Sequence, residues 1–333
     1  MGRLHICNTF FEQELESNQK IDLSCKASLQ LKKWFLAHPA MIQLQYLPLL
    51  YAQAEDRILV SSLPENPDPR LVCIDEEIPR LPVESWGASS SINRLAKEFN
   101  LPLKSPSIAI VRQIQSKNFA YIQRPHLPKS ALLSSAAEVK QWIEQTEGPK
   151  VLKRVLGVAG QGHFFPDQKR NLTKFIQREF SQGRPIIGEP WLDRKFDFSS
   201  QWEIGDEIEL KGFTAFETSD SGSYSATIAG PVNKLFSDYP WAIDSHLEVA
   251  LPILQKIKSM GFFGSLGVDA FVYGDKVLYP VVEINARKTM SRIALQIQQQ
   301  RCANRCLRMS FESKIGGLLP GDFNRNIFLK DGG

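Results

Sequence analysis

The stretch Gly267-Val-Asp269-Ala-Phe271 is followed by Pro280-Val-Val-Glu283-Ile-Asn285-Ala-Arg287. An acid thus lies on one apolar, strand-like segment, and a Glu-x-Asn pair lies on the next. Carboxylate and amide oxygens are the ligands that a hard cation such as Mg²⁺ selects, and Mg²⁺ held by few protein ligands usually carries nucleotide phosphates as well. The pattern predicts a metal site formed by Asp269, Glu283 and Asn285. A hairpin with solvent-facing polar residues is the alternative.

The length of the loop between these strands decides whether the three side chains meet. Side chains alternate faces along a strand, so the loop must contain an odd number of residues. A three-residue loop over residues 274–276 satisfies this condition and would set Asp269 opposite Val281 and diagonal to Glu283. A two-residue turn would place Asp269 on the other face.

Bulk composition indicates a globular protein of ordinary make-up. A chain of 333 residues favours two or three subdomains with a cleft between them. A net charge of +4 without a Lys/Arg block predicts neither a nucleic-acid partner nor a membrane partner. Five scattered cysteines and a first segment without an apolar signal-peptide core favour the cytoplasm. Cys302 and Cys306 are expected to be free thiols on a helix.

Periodicity predicts an α/β fold. Up to residue 104, helix and strand patterns alternate, and Ser89 is a candidate N-cap for a helix. Beyond it we expect a helix from Val111 to Ile122, a second helix from Ala136 to Glu147 and a strand from Val151 to Leu156. A strand-rich portion then follows from about residue 207.

Two further motifs lie between these elements. The strand carrying Lys153 leads into the glycine-rich sequence 157–162, whose amides could approach phosphate oxygens, with a purely structural loop as the alternative. The connector 188–192 contains Glu189, Trp191 and Leu192, which could contact a purine ring. A linker with a packed tryptophan is the alternative there.

The order of these motifs resembles the ATP-grasp superfamily, particularly its carboxylate-amine ligases such as D-alanine-D-alanine ligase. The resemblance covers roughly residues 108–295. It implies an α/β pre-grasp domain (1–104), an ATP-grasp subdomain with a glycine flap (105–187) and a second subdomain with the metal site (188–333). The nucleotide would lie between the sheets of the two subdomains.

The resemblance also implies roles for individual residues. Lys153 and Lys117 would contact the nucleotide phosphates, with Arg112 as the alternative to Lys117. The remaining nucleotide contacts would come from the flap, the adenine hinge and an acid near the ribose: Gly160, Gln161, Gly162, Glu189, Trp191, Leu192 and Asp197. Asp269, Glu283 and Asn285 would bind the metal.

One position departs from the ligase pattern. Gly267 stands where D-alanine-D-alanine ligase has an arginine, two residues before the metal aspartate. Arg287 and Arg292 are the candidates to steady an acyl phosphate or a substrate carboxylate in its place, and Lys153 is a further catalytic candidate. The roles of His163, Lys211 and Lys288 stay open.

The function implied by the resemblance is ATP-dependent joining of a carboxylate and an amine through an acyl phosphate, with release of ADP and phosphate. The expected cofactors are ATP and Mg²⁺, with Mn²⁺ as an alternative metal. The expected substrates are small molecules such as an amino acid or a peptide, and a homodimer is left open. The alternatives are a phosphotransferase on the same fold and a nucleotide-binding module without turnover.

Overall fold

The computed structural model describes residues 2–17, 25–157, 162–167, 171–219, 222, 224–313, 316–321 and 326–332. Within these residues the chain forms three sheets, one parallel and two antiparallel. Helices flank the sheets, as the α/β prediction requires.

The parallel sheet comes from the N-terminal part of the chain. Its order is β3-β2-β1-β4, and every pairing in it is parallel. Ser89 caps the helix that follows the last strand, because its hydroxyl accepts a hydrogen bond from the backbone N–H of Ile92. The elements are β1 (Leu4–Ile6), α1 (Phe11–Glu16), α2 (Ala27–Leu36), α3 (Pro39–Leu44), β2 (Arg57–Val60), β3 (Leu71–Cys73), β4 (Val83–Ser85) and α4 (Ser90–Glu98), with a 3₁₀ turn over Leu47–Leu50.

The helix predicted from Val111 to Ile122 is wrong, because two helices occupy that stretch: α5 (Ile108–Gln115) and α6 (Lys117–Gln123). Ser116 separates them with an extended backbone, and its hydroxyl accepts from the backbone N–H of Asn118 at 3.3 Å. The backbone N–H of Lys117 then donates to the Val155 carbonyl at 2.8 Å. The break therefore holds Lys117 against the end of a neighbouring strand.

The second sheet has four antiparallel strands in the order β5-β8-β6-β7. Its elements are β5 (Ala131–Leu133), α7 (Ala136–Gln145), β6 (Lys150–Arg154), β7 (His163–Phe164), α8 (Leu172–Phe180) and β8 (Ile186–Pro190). The last strand runs across the predicted boundary between residues 187 and 188, and the domain boundaries stay a prediction.

The third sheet has seven strands in the order β13-β12-β9-β10-β11-β14-β15. Part of its buried surface, including Trp202 and Leu266, belongs to one core cluster with Phe11, Leu47 and Val60 of the N-terminal part. The elements are β9 (Arg194–Ile204), β10 (Ile208–Thr218), β11 (Tyr224–Ala229), α9 (Val232–Leu235), α10 (Trp241–Ser259), β12 (Gly264–Tyr273), β13 (Val277–Asn285), α11 (Met290–Arg301), β14 (Cys306–Glu312) and β15 (Asn326–Gly332).

Strands β12 and β13 form the predicted hairpin, and a three-residue loop joins them, because Tyr273 pairs with Val277. The expected partner of Asp269 is wrong: Glu283 faces it instead of Val281. Between Phe271 and Asp269 the register shifts by two residues, where Pro280 has no N–H to donate to a ladder. A shift of two keeps every side chain on its face, so the acids still meet.

The five cysteines are free thiols. Cys302 is the C-cap residue of α11 and Cys306 begins β14, so the prediction that both lie on one helix is wrong. Among the described helices, none combines the length and the apolar character needed to cross a lipid bilayer.

Candidate functional site

The hairpin brings Asp269, Glu283 and Asn285 together at one wall of a cavity of about 460 Å³. Asn285 Nδ2 donates to Asp269 Oδ2 at 3.0 Å, and Ser199 Oγ donates to Asp269 Oδ1 at 2.6 Å. The Ser199 hydroxyl in turn accepts from Gln201 Nε2 at 2.7 Å. Asp269 is therefore held by side chains of two neighbouring strands.

The negative charges of Asp269 and Glu283 repel each other, so a nearby positive charge stabilises the pair. Burial and the neighbouring Glu283 charge raise the pKa of Asp269 to about 6. Burial also acts to raise the pKa of Glu283, but the Lys117 ammonium outweighs it and keeps that pKa below its usual range. Lys117 contacts Glu283 Oε1 directly. A cation thus already lies beside one of the two acids.

The donor set suits a hard metal ion bound through few protein ligands. Two carboxylates and one amide oxygen are hard donors of the kind that Mg²⁺ shares with nucleotide phosphates. In the described part of the chain, no cluster of three or more His, Cys, Asp or Glu side chains could hold a metal. A metal bound by this trio would consequently need phosphate oxygens or water to complete its coordination, and the metal assignment stays a prediction.

Two of the predicted phosphate contacts also line the cavity. Lys117, at the start of α6, and Lys153, on β6, both line it, whereas Arg112 does not. Since β6 belongs to the second sheet and β12 to the third, the cavity lies between the two sheets. The choice of Lys117 or Arg112 as the phosphate contact stays a prediction.

Lys153 belongs to a buried ionic cluster around Glu189. Lys153 Nζ donates to Glu189 Oε2 at 2.5 Å, while Arg124 Nη2 and the Tyr279 hydroxyl each donate to Oε1 at 2.7 Å. Burial opposes ionisation of Glu189, but Lys153 and Arg124 lower its pKa to about 2. With 1 % of its surface exposed, Glu189 does not line the cavity. The sequence offered no signal for Arg124 or Tyr279.

The rest of the predicted hinge packs around this cluster. Trp191 contacts His163 and Phe165 with centroid separations of 5.9 and 4.9 Å, and Leu192 packs against a small cluster of Leu127, Phe271 and Tyr279. Neither Trp191 nor Leu192 lines the cavity. The packed-tryptophan alternative therefore describes the position of Trp191, and the hinge role of these residues stays a prediction.

Asp197 and His163 do line the cavity. Arg194 Nη1 donates to Asp197 Oδ1 at 3.0 Å, and the Arg194 guanidinium lies 5.0 Å from the Trp191 ring. Of the flap, the Gly162 carbonyl accepts from the Arg154 backbone N–H at 3.0 Å. Gly160 and Gln161 lie outside the described residues.

The two candidate arginines differ in position, because only Arg287 lines the cavity with the acids. Arg287 lines the cavity with the acid trio, and its Nε and Nη2 donate to Glu12 Oε1 at 2.9 and 2.7 Å. Gln115 Nε2 donates to the same Glu12 oxygen at 3.0 Å. Arg292 is absent from this cavity and lines a second one, together with Lys211 and Lys288. No motif in the sequence pointed to Glu12 as the partner of Arg287.

A curated protein and several solved structures are similar to this chain. No protein-family model matches the chain. A curated relative, the butirosin acyl-carrier protein–L-glutamate ligase of Niallia circulans, is 23% identical in an alignment of 295 positions that covers 78% of this chain and 68% of the relative.

Solved structures show the same fold. A protein of the ATP-grasp superfamily from Archaeoglobus fulgidus aligns over 99% of both chains with a TM-score of 0.54 and 14% identity. Carboxyaminoimidazole ribonucleotide synthase from Aspergillus clavatus, in complex with ATP, aligns over 93% of this chain and 81% of that chain, with a TM-score of 0.50 and 15% identity. The chain is therefore a protein of the ATP-grasp fold, as its motif order predicts.

Proposed function

We propose that this protein is an ATP-dependent carboxylate-amine ligase. The observation that carries the proposal is the shared cavity between two sheets, where Asp269, Glu283 and Asn285 face Lys117 and Lys153. The curated relative is named as a ligase that acts with L-glutamate, which supports the same reaction class. ATP is the proposed phosphoryl donor.

In the proposed reaction, a carboxylate oxygen of the substrate bonds to the γ-phosphorus of ATP, and the bond from that phosphorus to the β–γ bridging oxygen breaks. ADP leaves and an acyl phosphate remains. An amine nitrogen then bonds to the acyl carbon, the carbon–oxygen bond to phosphate breaks and the amine loses a proton. The products are an amide, ADP and phosphate.

The chain's own residues would contribute positioning and charge, which are what phosphoryl transfer mainly requires. Lys117 and Lys153 would hold the phosphates, and Arg287 would steady the negative charge on the acyl phosphate. Asp269, Glu283 and Asn285 would hold Mg²⁺, which supplies Lewis-acid neutralisation of the phosphate charge. The buried Glu189 fixes the Lys153 ammonium in place.

We further propose small-molecule carboxylate and amine substrates and a location in the cytoplasm. The free cysteines of this chain suit a reducing compartment.

The test is ADP release in the presence of Mg²⁺ and ATP, measured over a panel of amino acids as carboxylates, beginning with L-glutamate, with and without added amines. A ligase releases ADP and forms an amide only when both substrates are present. Stable phosphorylation of one substrate without an amine would instead indicate a phosphotransferase. Nucleotide binding without ADP release under any condition would indicate a binding module.

The site assignment has its own test in Glu283→Ala. Removing one of the two carboxylates should lower ADP release on the order of a hundredfold. Glu248→Ala is the matched control, because Glu248 lies exposed on α10 away from the cavity. Equal ADP release by the two variants would contradict the assignment.

A further inference from the structure

A second cavity lies behind the wall that carries Arg287. Its volume is about 730 Å³, within the range of small-molecule sites. Strand β4 and the residues that follow it, 83–88, form one side, and residues 262–265 with one face of α11 form another. Trp86 and Arg287 line both cavities, so they form the shared wall between them.

More cations than acids line the second cavity. Among the described residues that line it, two are acids, Glu84 and Glu203. Six are cations: Arg3, Lys104, Lys211, Arg287, Lys288 and Arg292. Like charges gathered around one space repel one another, so the arrangement becomes favourable when an anion enters.

The two acids that line this cavity neutralise its cations only in part. Glu84 accepts from both Arg3 and Lys288. Glu203 Oε2 accepts from Ser265 Oγ at 2.8 Å, whereas Arg292 Nη2 reaches the same oxygen only at 3.4 Å. Outside the lining, Glu12 pairs with Arg287 and Glu209 pairs with Lys211. Among the described residues, Lys104 therefore has no acidic partner and Arg292 has only the 3.4 Å contact with Glu203.

The contact with Glu203 satisfies Arg292 only in part. Its side chain keeps 20 % of its surface exposed, and its Nη1 has no hydrogen-bond partner among the described residues. A guanidinium has five N–H donors in a planar fork that matches carboxylate or phosphate oxygens. Arg292 is therefore the natural anchor for an anionic group in this cavity.

We propose that the second cavity binds the carboxylate substrate, and that this substrate is a small dianion. Its reacting carboxylate would lie against Arg287 at the shared wall, facing the phosphates in the first cavity. Its second anionic group, a carboxylate or a phosphate, would bind Arg292 with help from Lys211 and Lys104. The assignment of the reacting end rests on the proposed ligase function, whereas the binding of a dianion rests on the cavity alone.

Calorimetry without ATP tests the binding on the full chain with three probes of similar length: glutarate, 4-phosphonobutyrate and butyrate. We expect at least one dianion to bind about tenfold or more tightly than butyrate, since a charge-assisted contact contributes about that factor. The preferred dianion tells whether the second group is a carboxylate or a phosphate. Equal affinity for the three probes would overturn the proposal.

Variants of the lining cations test which residue binds the second anionic group. Arg292→Gln should remove the advantage of the dianion, and its affinity for ADP should stay unchanged because Arg292 does not line the first cavity. Arg301→Gln is the matched control at the exposed end of the same helix. Lys211→Gln changes a lining cation on a different element, strand β10, and we expect it to lower the affinity for the dianion by less than Arg292→Gln does. Equal losses in the Arg292 and Arg301 variants would contradict the site.

The outcomes separate the two proposals. If a dianion binds tightly but no ADP is released after ATP and amines are added, the dianion site is supported and the ligase proposal is rejected. If the protein releases ADP with monocarboxylates and Arg292→Gln does not change that release, the ligase proposal is supported and the dianion site is rejected.

Discussion

The surroundings of Gly267 show why an arginine does not occupy the position two residues before Asp269. A Cβ built on Gly267 would come within 2.9 Å of Thr289 Cγ2 and 3.1 Å of Gln201 Nε2. Thr289 Oγ1 donates to Gln201 Oε1 at 2.6 Å and also accepts from the backbone N–H of Arg292. The space is taken by the polar contacts that begin α11, so positive charge reaches the site through Arg287 instead.

This crowding predicts the effect of Gly267→Ala. The new methyl group must displace Thr289 or Gln201, and overpacking of this kind costs about 1–3 kcal/mol in the free energy of unfolding. Urea denaturation measures the loss. Gly205→Ala is the control, because a Cβ there has no atom within 4 Å. The crowding argument fails if both variants lose the same stability.

Among helices and strands, the β12–β13 hairpin decides the geometry of the acid trio. Its loop, residues 274–276, was predictable because side-chain alternation demands an odd length. The two-residue shift of register was not predictable, since a bulge depends on how the strand meets its neighbours. Pro280 was visible in the sequence, but the contact of its carbonyl with His246 on α10 was not.

Deleting Asp275 tests the role of the loop. A two-residue loop moves the pairing by one position and turns Asp269 to the opposite face from Glu283. We expect Mg²⁺-dependent nucleotide binding to be lost while circular dichroism still shows a folded chain. Asp275→Ser keeps the loop length at this exposed position and should bind as the parent does. Unchanged nucleotide binding after the deletion would contradict the register argument.

For the molecule as a whole, His246 couples stability to pH. It is fully buried, its Nδ1 lies 2.7 Å from the Pro280 carbonyl and its Nε2 lies 2.8 Å from Ser200 Oγ. The carbonyl can only accept, so Nδ1 carries the proton of the neutral ring and Nε2 accepts from Ser200. Burial lowers the pKa of His246 to about 4.

A lowered histidine pKa makes the folded state lose stability in acid, because the unfolded chain takes up the proton first. The loss begins below the unfolded pKa of about 6.5 and grows until about pH 4, so at pH 5 it amounts to about 2 kcal/mol. Urea denaturation at pH 7 and pH 5 measures it. The glutamine in His246→Gln cannot titrate, so this variant should lose about 2 kcal/mol less stability than the parent between pH 7 and pH 5. An equal pH effect in both proteins would rule out His246 as its source.

Local chemistry alone was enough to predict the helix cap at Ser89, the α/β pattern and the hairpin with its odd loop. These features depend on residues close together in the chain, where spacing and backbone preference act directly. The break at Ser116 escaped prediction because the Lys117 amide bonds to the carbonyl of Val155, which lies just past the end of β6 and far from Lys117 in the sequence.

The division of the two arginines could come only from the folded chain. Arg287 is held by Glu12, which lies 275 positions away in the sequence, and it lines both cavities, whereas Arg292 lines only the second one. Residue types and spacing indicate what a side chain is able to bind. Which cavity it faces depends on long-range packing between the parallel sheet and the seven-stranded sheet, and no local pattern records that packing.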